Sequence, residues 1–175
     1  ITAPVTFNGG EGIAVNSGTL TLTAAQANGV DIDGPGDVAV RLAGPGFIVS
    51  DLSGIENGGS KTATVTGNML FSGDLGDFST TVAVGGKITL SAATASGKTI
   101  TGLSSTEPAN SPADPNDVRG GSIEITGLDG AAPYNLSTLT AGAGNAPVFA
   151  GTLVAQVTTA VTLNAGTALG SVVVE

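Results

Sequence analysis

The sequence predicts an all-β protein, and three observations lead to that class. Apolar residues alternate with polar ones in short runs, which is the period of a strand with one buried face. Glycine, which occurs 28 times, and Asn-Gly or Pro-Gly pairs interrupt these runs as tight turns do. No run keeps the apolar spacing of a helix. We therefore expect many short strands joined by turns.

The expected strands follow one another along the whole sequence. The first covers Val5–Phe7 and the last covers Val172–Val174. The segment Thr23–Asn28 has room for at most one helical turn before Gly29, so we expect a corner between two strands there. The other alternating runs are Leu20/Leu22, Val30/Ile32, Val38/Val40/Leu42, Thr64/Thr66 around Val65, Val82/Val84, Ile88/Leu90 and Ile123/Ile125.

An internal repeat organises these strands. Residues 18–34 match residues 86–102 without gaps, with nine identities in seventeen positions. The match resumes between 36–40 and 121–125 after an insertion of about seventeen residues, the Pro-rich loop 103–120. We therefore expect one domain over residues 1–175, built from two units that cover about 18–85 and 86–175.

The repeat favours a stacked architecture, in which each coil contacts only its neighbours and an insertion bulges from one corner. The offset of 68 residues divides into three coils of about 23 residues. The predicted fold is therefore a parallel β-helix of roughly seven or eight coils, about 35 Å long at ~4.8 Å per coil. A pair of β-sandwich modules is the alternative, because strands at this spacing also suit sandwiches.

Three segments carry a resemblance to a known family. GGKITLSA at 85–92, SGKTITGLSS at 96–105 and GGSIEITG at 120–127 resemble the β-helical repeats of filamentous-haemagglutinin-type exoproteins and, more loosely, of autotransporter passenger domains. Those families repeat blocks of two glycines followed by an alternating Ile-x-Leu or Ile-x-Ile strand. The resemblance implies a secreted, rod-like, non-catalytic adhesin or surface scaffold.

Composition narrows the function further. Five basic residues against fourteen acidic ones give a net charge of −9, so nucleic acid is not expected as a partner. The absence of His and Cys removes the imidazole base, the thiolate nucleophile and the usual zinc site, and we expect no enzyme. Polar residues interrupt the most apolar stretch, residues 146–165, so no membrane span is expected.

The same composition points to export. A chain without Cys, poor in Lys and rich in Gly and Thr is typical of bacterial secreted or surface proteins, so we expect an extracellular or cell-surface location. The first seven residues have neither the basic nor the apolar region of a signal peptide. We therefore expect that any signal has been removed or that the sequence is a fragment of a longer protein.

Two acidic clusters are candidate calcium sites. Asp31 and Asp33 point to the same side of a strand, and Asp37 follows a Gly-Pro-Gly turn that can fold back on them. Asp114 and Asp117 lie in the inserted loop, and loops on a rigid scaffold often carry binding sites. Calcium takes six to eight oxygens from such flexible turns. The competing interpretation is that these carboxylates bond backbone amides of their own turns and face solvent.

The leading functional hypothesis is a structural or adhesive module of a secreted bacterial surface protein. It would assemble end to end, with copies of itself or adjacent modules as partners, into a filament, a lattice or a longer solenoid, because its first and last strands carry no Lys to protect their edges. The alternative is a glycan-binding or polysaccharide-degrading β-helix. Against it, the aromatic residues lie in strand-like patterns where core packing is expected: Phe7, Phe47, Phe71, Phe78, Phe149 and Tyr134.

Overall fold

The computed structural model describes residues 12–106, 118–130, 133–145, 149–157 and 169–175. Strands predominate in this part of the chain, which confirms the β-rich class. The strands are β1 (Ile13–Ala14), β2 (Thr19–Thr23), β3 (Ile32–Asp33), β4 (Asp37–Ala43), β5 (Gly46–Asp51), β6 (Lys61–Thr66), β7 (Asn68–Asp74), β8 (Ser79–Val82), β9 (Lys87–Ser91), β10 (Ile100–Gly102), β11 (Ser122–Thr126), β12 (Leu139–Thr140), β13 (Leu153–Ala155) and β14 (Val173–Val174), and the helices are α1 (Ala24–Ala27) and α2 (Ala92–Ala95).

The strands form two six-stranded sheets and one two-stranded sheet. Sheet I has the order β2-β4-β6-β8-β10-β12, sheet II has the order β5-β7-β9-β11-β13-β14, and sheet III pairs β1 with β3. From β4 to β13 the chain visits sheets I and II in turn. Every ladder between the described strands is parallel. The described ladders therefore lack the antiparallel pairing on which the sandwich alternative depends.

The core lies on the inner faces of sheets I and II. Alternation along each strand puts every second side chain inside, as the sequence pattern predicts. The parallel register then aligns these side chains from strand to strand, and one contiguous apolar cluster draws on both sheets. The clearest inner row of sheet I is Leu22, Val40, Ala63, Thr80, Ile100 and Leu139.

A single helical turn follows β2, and a second one follows β9. The Thr23 hydroxyl accepts from the N–H of Gln26 at 3.3 Å, and the Gln26 side chain accepts from the N–H of Thr23 at 3.0 Å, which is a capping box. Ser91 caps α2 by accepting from the N–H of Thr94 at 3.1 Å. The corner expected at Thr23–Asn28 is therefore made by one helical turn, and its repeat-related counterpart folds in the same way.

The two repeat units do not occupy equivalent sheets. β2 and β4 lie in sheet I, whereas the strands that match them in sequence, β9 and β11, lie in sheet II. The spacing along a ladder is also unequal: Thr62 lies opposite Ser79, 17 residues later, and Val38 lies opposite Lys61, 23 residues later. The expected spacing of about 23 residues therefore holds between β4 and β6 but not between β6 and β8.

The inserted loop 103–120 leaves and rejoins the sheets at one place. The hydroxyl of Ser105 donates to the carbonyl of Val118 at 2.6 Å, which joins the two ends of the loop. The Ser105 N–H donates to the carbonyl of Ala143 at 2.8 Å. Residues 107–117 lie outside the described part of the chain. The sheets on either side keep their register, as expected for an insertion at a corner.

Beside this loop, three glycines allow neighbouring backbones to meet. The N–H of Gly121 donates to the carbonyl of Leu103 at 2.9 Å, and the N–H of Gly142 donates to the carbonyl of Gly121 at 2.9 Å. A Cβ atom placed on Gly102, Gly121 or Gly142 would overlap backbone atoms of the adjoining segment. The close approach therefore requires glycine at these positions.

Candidate functional site

The outer face of sheet II changes character from its ends to its centre. Register aligns six outward residues, one per strand, and the two at each end are apolar while the central two are polar. At the centre, the Glu124 carboxylate accepts from Lys87 Nζ at 2.5 Å and from Thr89 Oγ1 at 3.3 Å. The apolar side chains are thus concentrated beside the two edges of the sheet. The row is Phe47, Leu70, Thr89, Glu124, Val154 and Val173.

Strand β5, at one edge, has the reverse of the usual polarity. Phe47 and Val49 point outward and are 62% and 61% exposed, whereas Ser50 is fully buried. The buried Ser50 hydroxyl donates to the carbonyl of Ala24 at 3.0 Å, which satisfies it. Leu52 lies two residues after Ser50, points to the same inward side and is also fully buried. The alternation therefore leaves the two large apolar side chains of β5 facing solvent.

A groove of about 350 Å³ runs beside this edge. Helix α1 follows β2 and contacts β5, where the carbonyl of Ala24 meets the Ser50 end of the strand. Asn28, which directly follows α1, binds the far end of β5: its side chain accepts from the N–H of Asp51 at 2.8 Å. The groove is lined by Thr23, Ala24, Ala25, Arg41, Ala43, Phe47, Ile48 and Val49.

Strand β14 forms the opposite edge of sheet II. It pairs with β13 alone among the described strands, and Val173 is 58% exposed. Glu175 follows directly, and its backbone N–H donates to the carbonyl of Ala155 at 3.0 Å, so the strand stays aligned beyond Val174. A groove of about 430 Å³ beside β12, β13 and β14 includes Val173 and Glu175 in its lining. Both edges of the sheet therefore present apolar side chains next to a groove.

The first predicted calcium cluster has structural partners for part of its atoms. Asp31, Asp33 and Asp37 are exposed, and the carboxylate of Asp37 accepts from the N–H of Ser60 at 2.8 Å. The backbone carbonyl of Asp33 accepts from the N–H of Val15 at 2.8 Å. Within the described ranges, no three acidic side chains gather as a metal site would need. Calcium binding by these residues stays a prediction.

The second predicted cluster, Asp114 and Asp117, lies outside the described residues, so its calcium binding also stays a prediction. Two polar corner residues, Asp51 and Asn135, lie within the described part of the chain. The carboxylate of Asp51 accepts from the N–H and hydroxyl of Ser53 at 3.0 and 2.6 Å. Asn135 holds Ser137 in the same way, at 3.2 and 2.7 Å. Asp51 and Asn135 therefore have the same structural role, each at its own corner.

A polar groove of about 400 Å³ crosses the corner after β7. Lys98 Nζ donates to the Asp74 carboxylate at 3.0 Å, and Lys61 Nζ lies 3.7 Å from the Asp77 carboxylate. The Lys98 hydrogen bond, together with one from the N–H of Gly76, holds the pKa of Asp74 below its ordinary value. The two ion pairs stabilise the corner, and their polar groups face the groove.

The expected core packing of the aromatic residues holds with one exception. Phe71, Phe78 and Phe149 are buried, and Tyr134 is partly buried, whereas Phe47 is exposed. Phe7 lies outside the described residues. The run Phe47-Ile48-Val49 is apolar throughout, so its period cannot tell which side faces inward. Only the burial of Ser50 and Leu52, on the opposite side of the chain from Phe47 and Val49, decides which side of this run faces solvent.

None of the helices within the described ranges is long and apolar enough to cross a membrane. Comparisons with protein-family models, with curated proteins and with solved structures find nothing that matches this chain.

Proposed function

We propose that the protein is a non-catalytic structural module, folded as a parallel β-helix, that assembles end to end. Two properties of the ladders support the β-helix. Strands β4 to β13 alternate between sheets I and II, and each pairs in parallel with the strand two places along the chain. Such connections wind the chain in one sense around a shared core, with one strand of each sheet in every coil.

The observation that carries the assembly is the placement of the apolar side chains on sheet II. Monomeric proteins protect an open sheet edge with charge, proline or a covering segment. Here the charged pair Lys87–Glu124 lies in the centre of the sheet, and the exposed Phe47 and Val173 lie at its two edges. Contact between an edge of one copy and the other edge of the next would pair the open backbone and cover both apolar clusters.

Composition supports a setting outside the cell. The chain has no Cys, few basic residues and a net charge of −9, and its described outer faces carry Thr, Ser and Asn rather than many charges. We propose a secreted bacterial protein with a structural or adhesive role at the cell surface. The high net negative charge opposes non-specific association between copies, so assembly depends on the edge contacts.

Sedimentation velocity over a wide range of protein concentrations tests the assembly. We expect species that grow with concentration, and Val173→Lys should reduce them to monomers because it places a charge on the edge. Val84→Lys is the matched control, since Val84 is also exposed but lies outside both edges of sheet II. A wild-type protein that stays monomeric up to the highest soluble concentration would contradict the proposal.

Glycan binding is the second candidate, and the polar groove is the feature that favours it. Lys61, Asp77 and Lys98 offer charged donors and acceptors there, as sugar hydroxyls and carboxylates require. A screen against acidic and neutral glycans, repeated with Lys98→Ala, tests this role. Binding that Lys98→Ala abolishes would support it, and the absence of binding to any glycan would remove it.

A further inference from the structure

Building on the proposed end-to-end assembly, we propose how the joint is made. Strand β14 of one copy lies in the groove beside β5 of the next copy and extends sheet II in parallel. In this joint Val173 of the first copy lies opposite Phe47 of the second, and the Glu175 carboxylate of the first copy pairs with the Arg41 guanidinium of the second.

The receiving edge has the shape for an added strand. Strand β5 is the outermost strand of sheet II at this end, and α1 contacts β5 while leaving the groove open. Phe47 and Val49 present their apolar side chains on the groove side. An extended segment with apolar side chains would gain backbone hydrogen bonds from the strand edge and apolar contacts from these two residues.

The register of sheet II identifies the residues that meet. The outer row that begins at Phe47 ends at Val173, and five strand pairings connect the two residues. Continuing this row across the joint brings Val173 of one copy next to Phe47 of the following copy. Glu175 is two residues further along and therefore points to the same face, at the level of Val49. The cross-strand pair of Val173 and Phe47 is of the β-branched and aromatic type that stabilises sheets.

The charges on the two surfaces favour β14 of a second copy as the occupant of the groove. Arg41 lies opposite Thr23 in sheet I and lines the groove, and it has no ion pair within the described part of the chain. By contrast, Lys61, Lys87 and Lys98 are each paired with a carboxylate. Glu175 brings a carboxylate to the level of the groove that Arg41 lines. A chain with a net charge of −9 gains from placing one of its few cations at the contact between copies.

The joint uses different surfaces on the two copies. A head-to-tail contact of this kind repeats from copy to copy and gives an open filament rather than a closed dimer. It also makes a specific prediction for mixtures, because each variant of one surface can be rescued by a complementary change in the other.

Charge reversal tests the ion pair. Arg41→Glu and Glu175→Arg should each raise the dissociation constant for assembly by at least about tenfold, because each creates a like-charge contact. An equimolar mixture of the two variants should assemble again, since each variant's receiving edge then matches the other's added strand. The double variant should assemble alone. Arg119→Glu, at an exposed cation away from the groove, is the control and should leave assembly unchanged.

Disulfide trapping tests the register, and the chain has no native Cys to interfere. Four strands separate β5 from β14 within one copy, or about 24 Å at ~4.8 Å per step, so a disulfide between them can form only between copies. A mixture of Phe47→Cys and Val173→Cys should give cross-linked dimers under mild oxidation. Leu70→Cys mixed with Val173→Cys is the control, because Leu70 is exposed but lies one strand further in.

The outcomes separate this joint from the assembly on which it rests. A wild-type protein that never assembles removes both proposals. Assembly that survives Arg41→Glu and Glu175→Arg, without cross-linking of Phe47→Cys to Val173→Cys, removes the joint and leaves end-to-end assembly through another edge. Rescue in the mixture together with the expected cross-link supports the joint.

Discussion

Thr80→Val is expected to stabilise the protein. Thr80 occupies the inner row of sheet I between Ala63 and Ile100, where it is 2% exposed. Its hydroxyl has no hydrogen-bond partner within the described residues. A buried hydroxyl without a partner costs about 1–3 kcal/mol, and valine has nearly the same shape and adds buried apolar surface. We expect a net gain of about 1–2 kcal/mol in the free energy of unfolding.

Thermal and urea unfolding measure this gain. At about 2–4 °C per kcal/mol for a chain of this size, the Tm should rise by roughly 2–8 °C, with an unchanged urea m-value. Thr64→Val is the matched control, because Thr64 is an exposed threonine of the neighbouring strand β6, and its change should stay within about 0.5 kcal/mol. Thr80→Ser keeps the hydroxyl, loses the methyl group and should lower the Tm. A lower Tm for Thr80→Val would refute the reasoning, because it would mean that the hydroxyl is satisfied.

Four further predictions follow from the packing and the charges. Gly121→Ala should cost several kcal/mol, on the order of 3 or more, because its Cβ would overlap backbone, whereas Gly58→Ala has room; equal Tm values would contradict the close approach. Ser50→Ala should destabilise by about 1 kcal/mol through loss of the bond that holds α1 on β5, and an unchanged urea midpoint would contradict this. Because its pKa is lowered in the folded state, Asp74 contributes stability above its ordinary pKa of 3.8 that is lost as the pH falls through the lowered value; Asp74→Asn should therefore lower the Tm at pH 7 more than at pH 2, and an equal loss at both would contradict the ion pair. If calcium binds, a chelator should lower the Tm, and an unchanged melt would leave the predicted ligands as turn carboxylates.

Local features of the fold could be predicted because their causes lie close together in sequence. The alternation around Val38 and Val40 specifies a strand with one buried face, and the capping residues around Thr23 and Gln26 specify a single helical turn. The same holds for the turn at Asp51, where a side chain bonds the backbone two residues later. Each of these depends on contacts within a few residues.

The arrangement of the sheets depends on distant contacts and could not be predicted in the same way. The repeat offset indicated stacking, yet it could not reveal that β2 and β9 lie in different sheets, because sequence identity does not record which sheet a strand joins. Phe47 illustrates the same limit for the candidate site. Its apolar run is compatible with either face inward, and packing around Ser50 and Leu52 decides the matter.

Electron microscopy of the assembled protein tests the central claim most directly, because it shows the direction in which copies are added. Six stacked strands at ~4.8 Å span roughly 30 Å, so end-to-end assembly predicts unbranched particles of constant width whose lengths increase in steps of about 30 Å. The strands should run across the long axis of the particle. Particles that grow in width would contradict the account. So would particles that remain the size of one copy at the highest soluble concentration of the wild-type protein.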